Sequence, residues 1–313
     1  MKAKIFIDGK EGTTGLQIYE KLGGRTDISL LLLEEAQRKD PAVRKEIMNR
    51  ADLVFLCLPD AAAREAVSLV ENPEVKIIDA STAHRTSPDW VYGYPELSRE
   101  QEERIRASKR TANPGCHATG FISLAAPLTA AGILPKDYPV SCHSLTGYSG
   151  GGKKLIREYE SDRVDNRLNS CREYAISLSH KHLPEMMAVT GLKRKPLFFP
   201  ILGDYYAGML TTVGLDNDLL EGNLTARQIH EFLSEHYAGQ KYVRVLPFGG
   251  EGAVDPRGIL ESNRNVGTNY LDIVVCGNEE QTLLASQFDN LGKGASGAAV
   301  QNMELMLGLH AEE

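Results

Sequence analysis

Three stretches of the 313-residue chain carry side chains able to do covalent and acid–base chemistry. In RTANPGCHATG, residues 110–120, Cys116 follows a Pro-Gly turn and stands where a helix would start. The N–H groups and dipole of a helix start favour a thiolate and can stabilise an oxyanion at an attacked carbonyl. Cysteine is also commonly buried as filler, and local sequence leaves both readings of Cys116 open. For Cys57, Cys142 and Cys276 the filler reading is better, and Cys171 lies in a polar stretch that implies no role. In SLSHKHLPEM, residues 177–186, His180 and His182 offer imidazoles for proton transfer, with Tyr174 before them and Glu185 after. The same histidines also read as structural or surface residues. Two histidines at i,i+2 can bind a metal, but no further ligand cluster supports them and no metal site is expected. In TGYSGGGKKLIREYESDRVDNR, residues 146–167, a glycine triplet feeds Lys153, Lys154 and Arg157. Such a turn can hold phosphate or carboxylate; it also reads as a loop and a solvated helix face balanced by Glu158 and Glu160.

A further glycine pattern points to a nucleotide. Gly9, Gly12 and Gly15, with Thr13 and Thr14 among them, form G-x-x-G-x-x-G directly after an apolar run. Glycines let the backbone approach a pyrophosphate, and a helix start offers N–H groups to it. The spacing departs from the usual G-x-G-x-x-G, and a turn that binds nothing is the alternative. Glu34 and Glu35 lie about 20 residues on, where an acid would grip a ribose hydroxyl. Arg38 and Lys39 follow and could instead neutralise a 2′-phosphate, so NAD and NADP both remain open.

These residues need elements to hold them. AKIFIDG (3–9), ISLLLL (28–33), ADLVFLCLP (51–59) and VKIIDAS (75–81) read as strands, with helices at Thr13–Leu22, between the second and third strands, and over AAAREAVSLV. This alternation predicts an α/β, Rossmann-type parallel sheet domain over roughly the first 110 residues. After Cys116 the pattern changes. A helix is expected over His117–Ala131, with strands at Val140–Thr146, Tyr174–Leu178, Leu197–Pro200, Gly208–Leu215 and Leu271–Cys276. Helices at Lys153–Asn169 and Thr225–Tyr237 sit among them, which predicts an α+β domain on a mixed or antiparallel sheet. A final helix with Val300, Met303 and Leu307 on its apolar stripe is expected to pack back on the first domain. The domains are therefore set at 1–115, completed by 290–313, and 116–289.

Composition bounds the function. Hydrophobic residues make up 42% and charged residues 25%, as in ordinary globular proteins. A net charge of -7 argues against broad nucleic-acid binding. No run reaches the ~18 apolar residues of a membrane span, and the N-terminal apolar run is too short for a signal peptide. Five cysteines without CxxC spacing read as reduced thiols of a cytoplasmic protein.

The motifs ANPGCHATGF, GYSGGGKK, SHKHLPEM and DNLGKGASGAAVQNMELM, with the opening glycine loop, resemble the short type of N-acetyl-γ-glutamyl-phosphate reductase, a semialdehyde dehydrogenase family. The resemblance covers essentially the whole chain. It implies an NADP-binding Rossmann domain, a catalytic domain, a homodimer or homotetramer, and reversible NADPH-dependent reduction of an acyl phosphate to N-acetylglutamate semialdehyde and phosphate in arginine biosynthesis. It assigns the nucleophile to Cys116 and the acid–base role to the HxH pair, taken as His180, with His182, Tyr174 and Glu185 in the substrate pocket. Lys153 and Arg157 are candidates for the substrate's anionic groups, and Ser81, Asn290 and Gly292 for the cofactor. Siblings acting on aspartyl or carrier-bound aminoadipyl phosphate are the nearest rivals. A non-catalytic NADPH-binding regulator leaves Cys116 and the histidines unexplained, and a cysteine hydrolase leaves the glycine loop without a use.

Overall fold

The computed structural model describes residues 2–34, 36–38, 40–161 and 166–309. The chain divides into two compact units, Met1–Pro114 with Ala295–Glu313, and Gly115–Gly294.

Unit 1 holds a six-stranded, wholly parallel sheet. Its strands are β1 (Ala3–Asp8), β2 (Ile28–Leu31), β3 (Leu53–Leu56), β4 (Lys76–Asp79), β5 (Val91–Tyr92) and β6 (Arg110–Ala112), in the order β2-β1-β3-β4-β6-β5. Its helices are α1 (Thr13–Leu22), α2 (Pro41–Arg50), α3 (Asp60–Leu69), α4 (Arg99–Ala107) and α9 (Gly297–Leu307). Strand residues alternate between two apolar layers, as a sheet buried on both faces requires. Ile5, Ile7, Leu53 and Phe55 pack with Ile18 and Leu22 of α1, Ile105 of α4, and Ala299, Met303 and Met306 of α9. Phe6, Val54, Leu56 and Ile77 pack with Met48 of α2 and Ala66 of α3 on the other face. On α9, Met303 is fully buried, whereas Val300 and Leu307 only flank the core.

Unit 2 is built on a mixed seven-stranded sheet in the order β11-β12-β13-β10-β7-β9-β8. The strands are β7 (Ser141–Gly147), β8 (Arg172–Glu173), β9 (Leu197–Gly203), β10 (Met209–Asp216), β11 (Val243–Val245), β12 (Leu271–Gly277) and β13 (Gln281–Phe288). The pairs β7–β9 and β11–β12 are parallel and the other pairs antiparallel. Helices α5 (Cys116–Ala130), α6 (Gly152–Glu160), α7 (Leu183–Thr190) and α8 (Ala226–His236) complete it. Buried α5 lies across β10 so closely that a Cβ at Gly120 would stand 2.3 Å from Thr211 Oγ1.

Two expected elements are corrected. Residues 174–178 form no strand: Ala175 and Leu178 take left-handed φ angles, which break an extended run, and Ile176 is solvent-exposed. The helix expected over 153–169 stops at Glu160; residues 166–169 form a separate 3-10 turn, and residues 162–165 lie outside the described residues.

Candidate active site

Strand β6 runs into Asn113-Pro114-Gly115, and Cys116 is the first residue of α5. Gly115 caps α5 without any side-chain hydrogen bond, and the first turn contains no acid. The positive end of the helix therefore stands at the half-buried thiol undiluted by a carboxylate on α5. The Gly115 N–H instead donates 3.1 Å to Oε2 of Glu185, a buried residue in the first turn of α7. Gly294 closes in on the other side, where a Cβ would stand 3.0 Å from the Cys116 Cβ.

Beside the thiol sits a ring cluster. His117 centres lie 5.5 Å from His180, 5.8 Å from His182, 6.1 Å from Tyr174 and 5.3 Å from Phe198. His180 Nδ1 accepts the His182 N–H at 3.1 Å, so its neutral ring carries the proton on Nε2. Burial, and then the charge of Cys116, push the Tyr174 phenol up, so it stays protonated. Burial first, then the positive charges of His180 and Lys181, pull His117 down to about 3, keeping it neutral. His117 is the ring of this cluster that sequence reasoning missed, because it reads as one more position in a buried helix. Its only signal was adjacency to the candidate nucleophile. Burial pushes the Cys57 thiol up to about 12 and also raises Cys142 and Cys276.

Of the other expected substrate contacts, Glu185 is engaged with Gly115 as above. Lys153 and Arg157 lie exposed on α6.

In unit 1 the glycine loop fits a dinucleotide. Gly9 has φ +84°, and a Cβ there would stand 2.3 Å from the Cys57 carbonyl oxygen. Gly15 lies against the Gly9 carbonyl, where a Cβ would stand at 2.5 Å. Gly12 caps α1 with no side-chain bond, Thr13 and Thr14 open that helix, and Thr13 Oγ1 is buried without a hydrogen-bonding partner. An uncapped helix start with an orphaned hydroxyl suits an anionic group. The adjoining cavity of about 460 Å³ is lined by Gly9, Lys10, Gly12, Leu31, Leu33 and Arg38 among others. Arg38 lies 4.0 Å from Glu11, Glu34 is exposed, and Glu35 and Lys39 lie outside the described residues. Ser81 gives both its N–H and hydroxyl to buried Asp79. The Asn290 amide donates to Ser149 Oγ and accepts from the Gly208 N–H. Gly292 packs on the Thr268 carbonyl, where a Cβ would stand at 2.2 Å. Among the described residues no group of three or more His, Cys, Asp or Glu is arranged to hold a metal, and no helix is long and apolar enough to cross a membrane.

Known proteins resemble this chain throughout its length. Residues 12–105 match the model of the semialdehyde dehydrogenase NAD binding domain, and residues 116–290 that of the semialdehyde dehydrogenase dimerisation domain. The N-acetyl-gamma-glutamyl-phosphate reductase of Burkholderia ambifaria is 48% identical over 97% of this chain and 96% of its own. The N-acetyl-gamma-glutamyl-phosphate reductase 2 of Nostoc sp. is 44% identical over 99% of this chain and 98% of its own. Among solved structures, aspartate semialdehyde dehydrogenase II of Vibrio cholerae has a TM-score of 0.74 over 98% of this chain and 99% of its own; at 16% identity it shares the fold. The chain belongs to the semialdehyde dehydrogenase family, among its N-acetyl-γ-glutamyl-phosphate reductases.

Proposed function

We propose that this chain catalyses the reversible NADPH-dependent reduction of N-acetyl-γ-glutamyl phosphate to N-acetylglutamate semialdehyde and phosphate, a step of arginine biosynthesis. The observation that carries the reading is the half-buried Cys116 thiol at an uncapped helix start beside the His117–His180–Tyr174 cluster. Relatives 48% identical that bear the reductase name supply the substrate.

Cys116 Sγ attacks the acyl carbon, the bond to phosphate breaks, and a thioester forms. The helix start of α5 steadies the oxygen charge that develops. NADPH, when bound, would supply the hydride that reduces the thioester. His180, as imidazolium, gives a proton to the oxygen there and, as the neutral ring, takes it back as the C–S bond breaks, releasing aldehyde and thiolate. His182 and Tyr174 line the substrate pocket with Glu185, which also holds the Gly115 turn. Lys153 and Arg157 are assigned to the phosphate or α-carboxylate. Gly9, Gly12, Thr13, Thr14 and Gly15 would hold the pyrophosphate, and Ser81, Asn290 and Gly292 are the further candidates for lining the cofactor. Arg38 on the cavity wall favours NADP over NAD, because a guanidinium pairs with a 2′-phosphate.

The chain works as a homodimer or homotetramer in the cytoplasm. Five free thiols support a reducing compartment. The sheet face of unit 2 opposite α5 aligns Leu145, Ile201, Leu210, Phe199 and Leu197 on neighbouring strands, an apolar surface suited to a second copy.

The test is a comparison of N-acetylglutamate, aspartate and aminoadipate semialdehydes, each with phosphate and NADP, followed at the NADPH absorbance band. Turnover of the first is expected; turnover of aspartate semialdehyde alone would move the chain to the sibling reaction.

A further inference from the structure

Four polar side chains of unit 2 form one row. Thr211 Oγ1 and Ser144 Oγ stand 2.8 Å apart. Ser144 Oγ stands 2.7 Å from His117 Nδ1, and His117 Nε2 stands 2.6 Å from the Tyr174 hydroxyl. Among the described residues, these three bonds are all that the four side chains make.

Counting hydrogens fixes the direction of the row. Each hydroxyl has one hydrogen to give, and a neutral imidazole has one N–H. Thr211 is fully buried against Gly120, and Ser144 is its one acceptor. An unused buried O–H is costly, so Thr211 donates to Ser144 and Ser144 donates to Nδ1. The ring proton then lies on Nε2 and is given to the Tyr174 oxygen. The opposite order would strand the Thr211 hydrogen. With its oxygen accepting from His117, Tyr174 has its own O–H turned out of the row.

Resting on the reading of Cys116 as nucleophile, we infer that His117 is a positioning residue that makes Tyr174 a one-directional hydrogen-bond donor to the oxyanion formed when Cys116 bonds the substrate carbonyl. Two observations support it. The His117 ring, faced by His180, Lys181, His182, Tyr174 and Phe198, is held neutral by burial, so its single N–H is not doubled by protonation. Burial, and then the charge of Cys116, raise the Tyr174 phenol, so it keeps its own proton.

The tautomer is measurable in the full chain without substrate. In protein labelled with 15N-histidine, the His117 ring signals are those lost in His117→Gln. Protonated Nε2 with bare Nδ1 is expected, and protonated Nδ1 would overturn the inference. Kinetics test the consequence. His117→Phe is expected to lower kcat roughly 10- to 100-fold while changing KM less than about threefold. In a Tyr174→Phe background the same substitution should cost less than about twofold. His117→Gln, whose amide can accept from Ser144 and donate to Tyr174, should recover most of kcat. Equal losses in both backgrounds, or no recovery with glutamine, would overturn the role. If His117→Phe fails to fold, Ser144→Ala serves: mixed ring tautomers and reduced kcat are expected, and an unchanged ring would count against the row. A wild-type chain inert on N-acetylglutamate semialdehyde would defeat the proposed function, whereas the tautomer is read independently of it.

Discussion

Acid should weaken unit 2 through His117 in a way that one substitution removes. The pKa of this ring is lowered from 6.5 to about 3 in the fold, chiefly by burial. A depressed folded pKa means the unfolded chain takes up the proton first. The stability contributed by the neutral ring is thus complete above about pH 6.5 and is lost as pH falls towards about 3. Between about pH 7.5 and about pH 5 the linkage amounts to about 2 kcal/mol, at 1.36 kcal/mol per unit of pKa difference. The assay is urea unfolding of wild type and His117→Gln at both pH values, followed by circular dichroism. The sole tryptophan, Trp90, lies in unit 1 and would report on the wrong sheet. His236, also depressed by burial, and the carboxylates are common to both proteins and cancel in the difference. The stability advantage of wild type over the variant should shrink by about 2 kcal/mol on acidification. A difference that does not change with pH would refute a buried neutral His117.

Gly120→Ala should drive a methyl into Thr211, where the ideal Cβ stands 2.3 Å from Oγ1 and 2.7 Å from Cβ. Overpacking costs about 1–3 kcal/mol and helix propensity returns up to about 1, so unfolding should shift to lower urea with kcat reduced as α5 moves; unaltered stability would contradict the close approach. Glu185→Ala leaves the buried Gly115 N–H without this acceptor and should cost about 1–3 kcal/mol, whereas Glu185→Gln, which still offers an oxygen, should retain most stability by the same measurement. Arg38→Ala should raise KM for NADP roughly 10- to 100-fold while leaving KM for NAD nearly unchanged, because one charge-assisted bond contributes about 1.5–3 kcal/mol; equal changes for both would remove Arg38 from 2′-phosphate recognition.

The first sheet was legible because buried parallel strands are continuous apolar runs punctuated by glycine, as at Ala3–Asp8 before Gly9. The helix start at Cys116 was legible because Pro-Gly cannot continue a strand and the residues after it are helix-compatible. The strand expected at 174–178 failed because Ile176 and Leu178 look like sheet residues by type, whereas left-handed backbone at Ala175 and Leu178 lies outside the reach of apolar pattern. Helix α7 went unread although Pro184 near its start and left-handed Gly191 at its end were its boundary signals. Strand β13 was missed because its inner and outer positions carry mixed side chains, and its pairing with β10 and β12 is long-range. The HxH pair was read from residue type. The partnership of His117 with Ser144, 27 positions away, and with Tyr174, 57 away, exists only through the register of β7 and the packing of α5.

The central claim is that Cys116 carries the acyl group. Wild-type protein mixed with N-acetylglutamate semialdehyde and NADP, without phosphate, should release about one NADPH per subunit in a burst, since the aldehyde is oxidised to a thioester that has no acceptor. Intact-protein mass spectrometry of the quenched mixture should show one N-acetylglutamyl group, mapped by peptide analysis to Cys116 and absent from Cys116→Ser. A burst with no acyl adduct, or an adduct on another residue, would contradict the account.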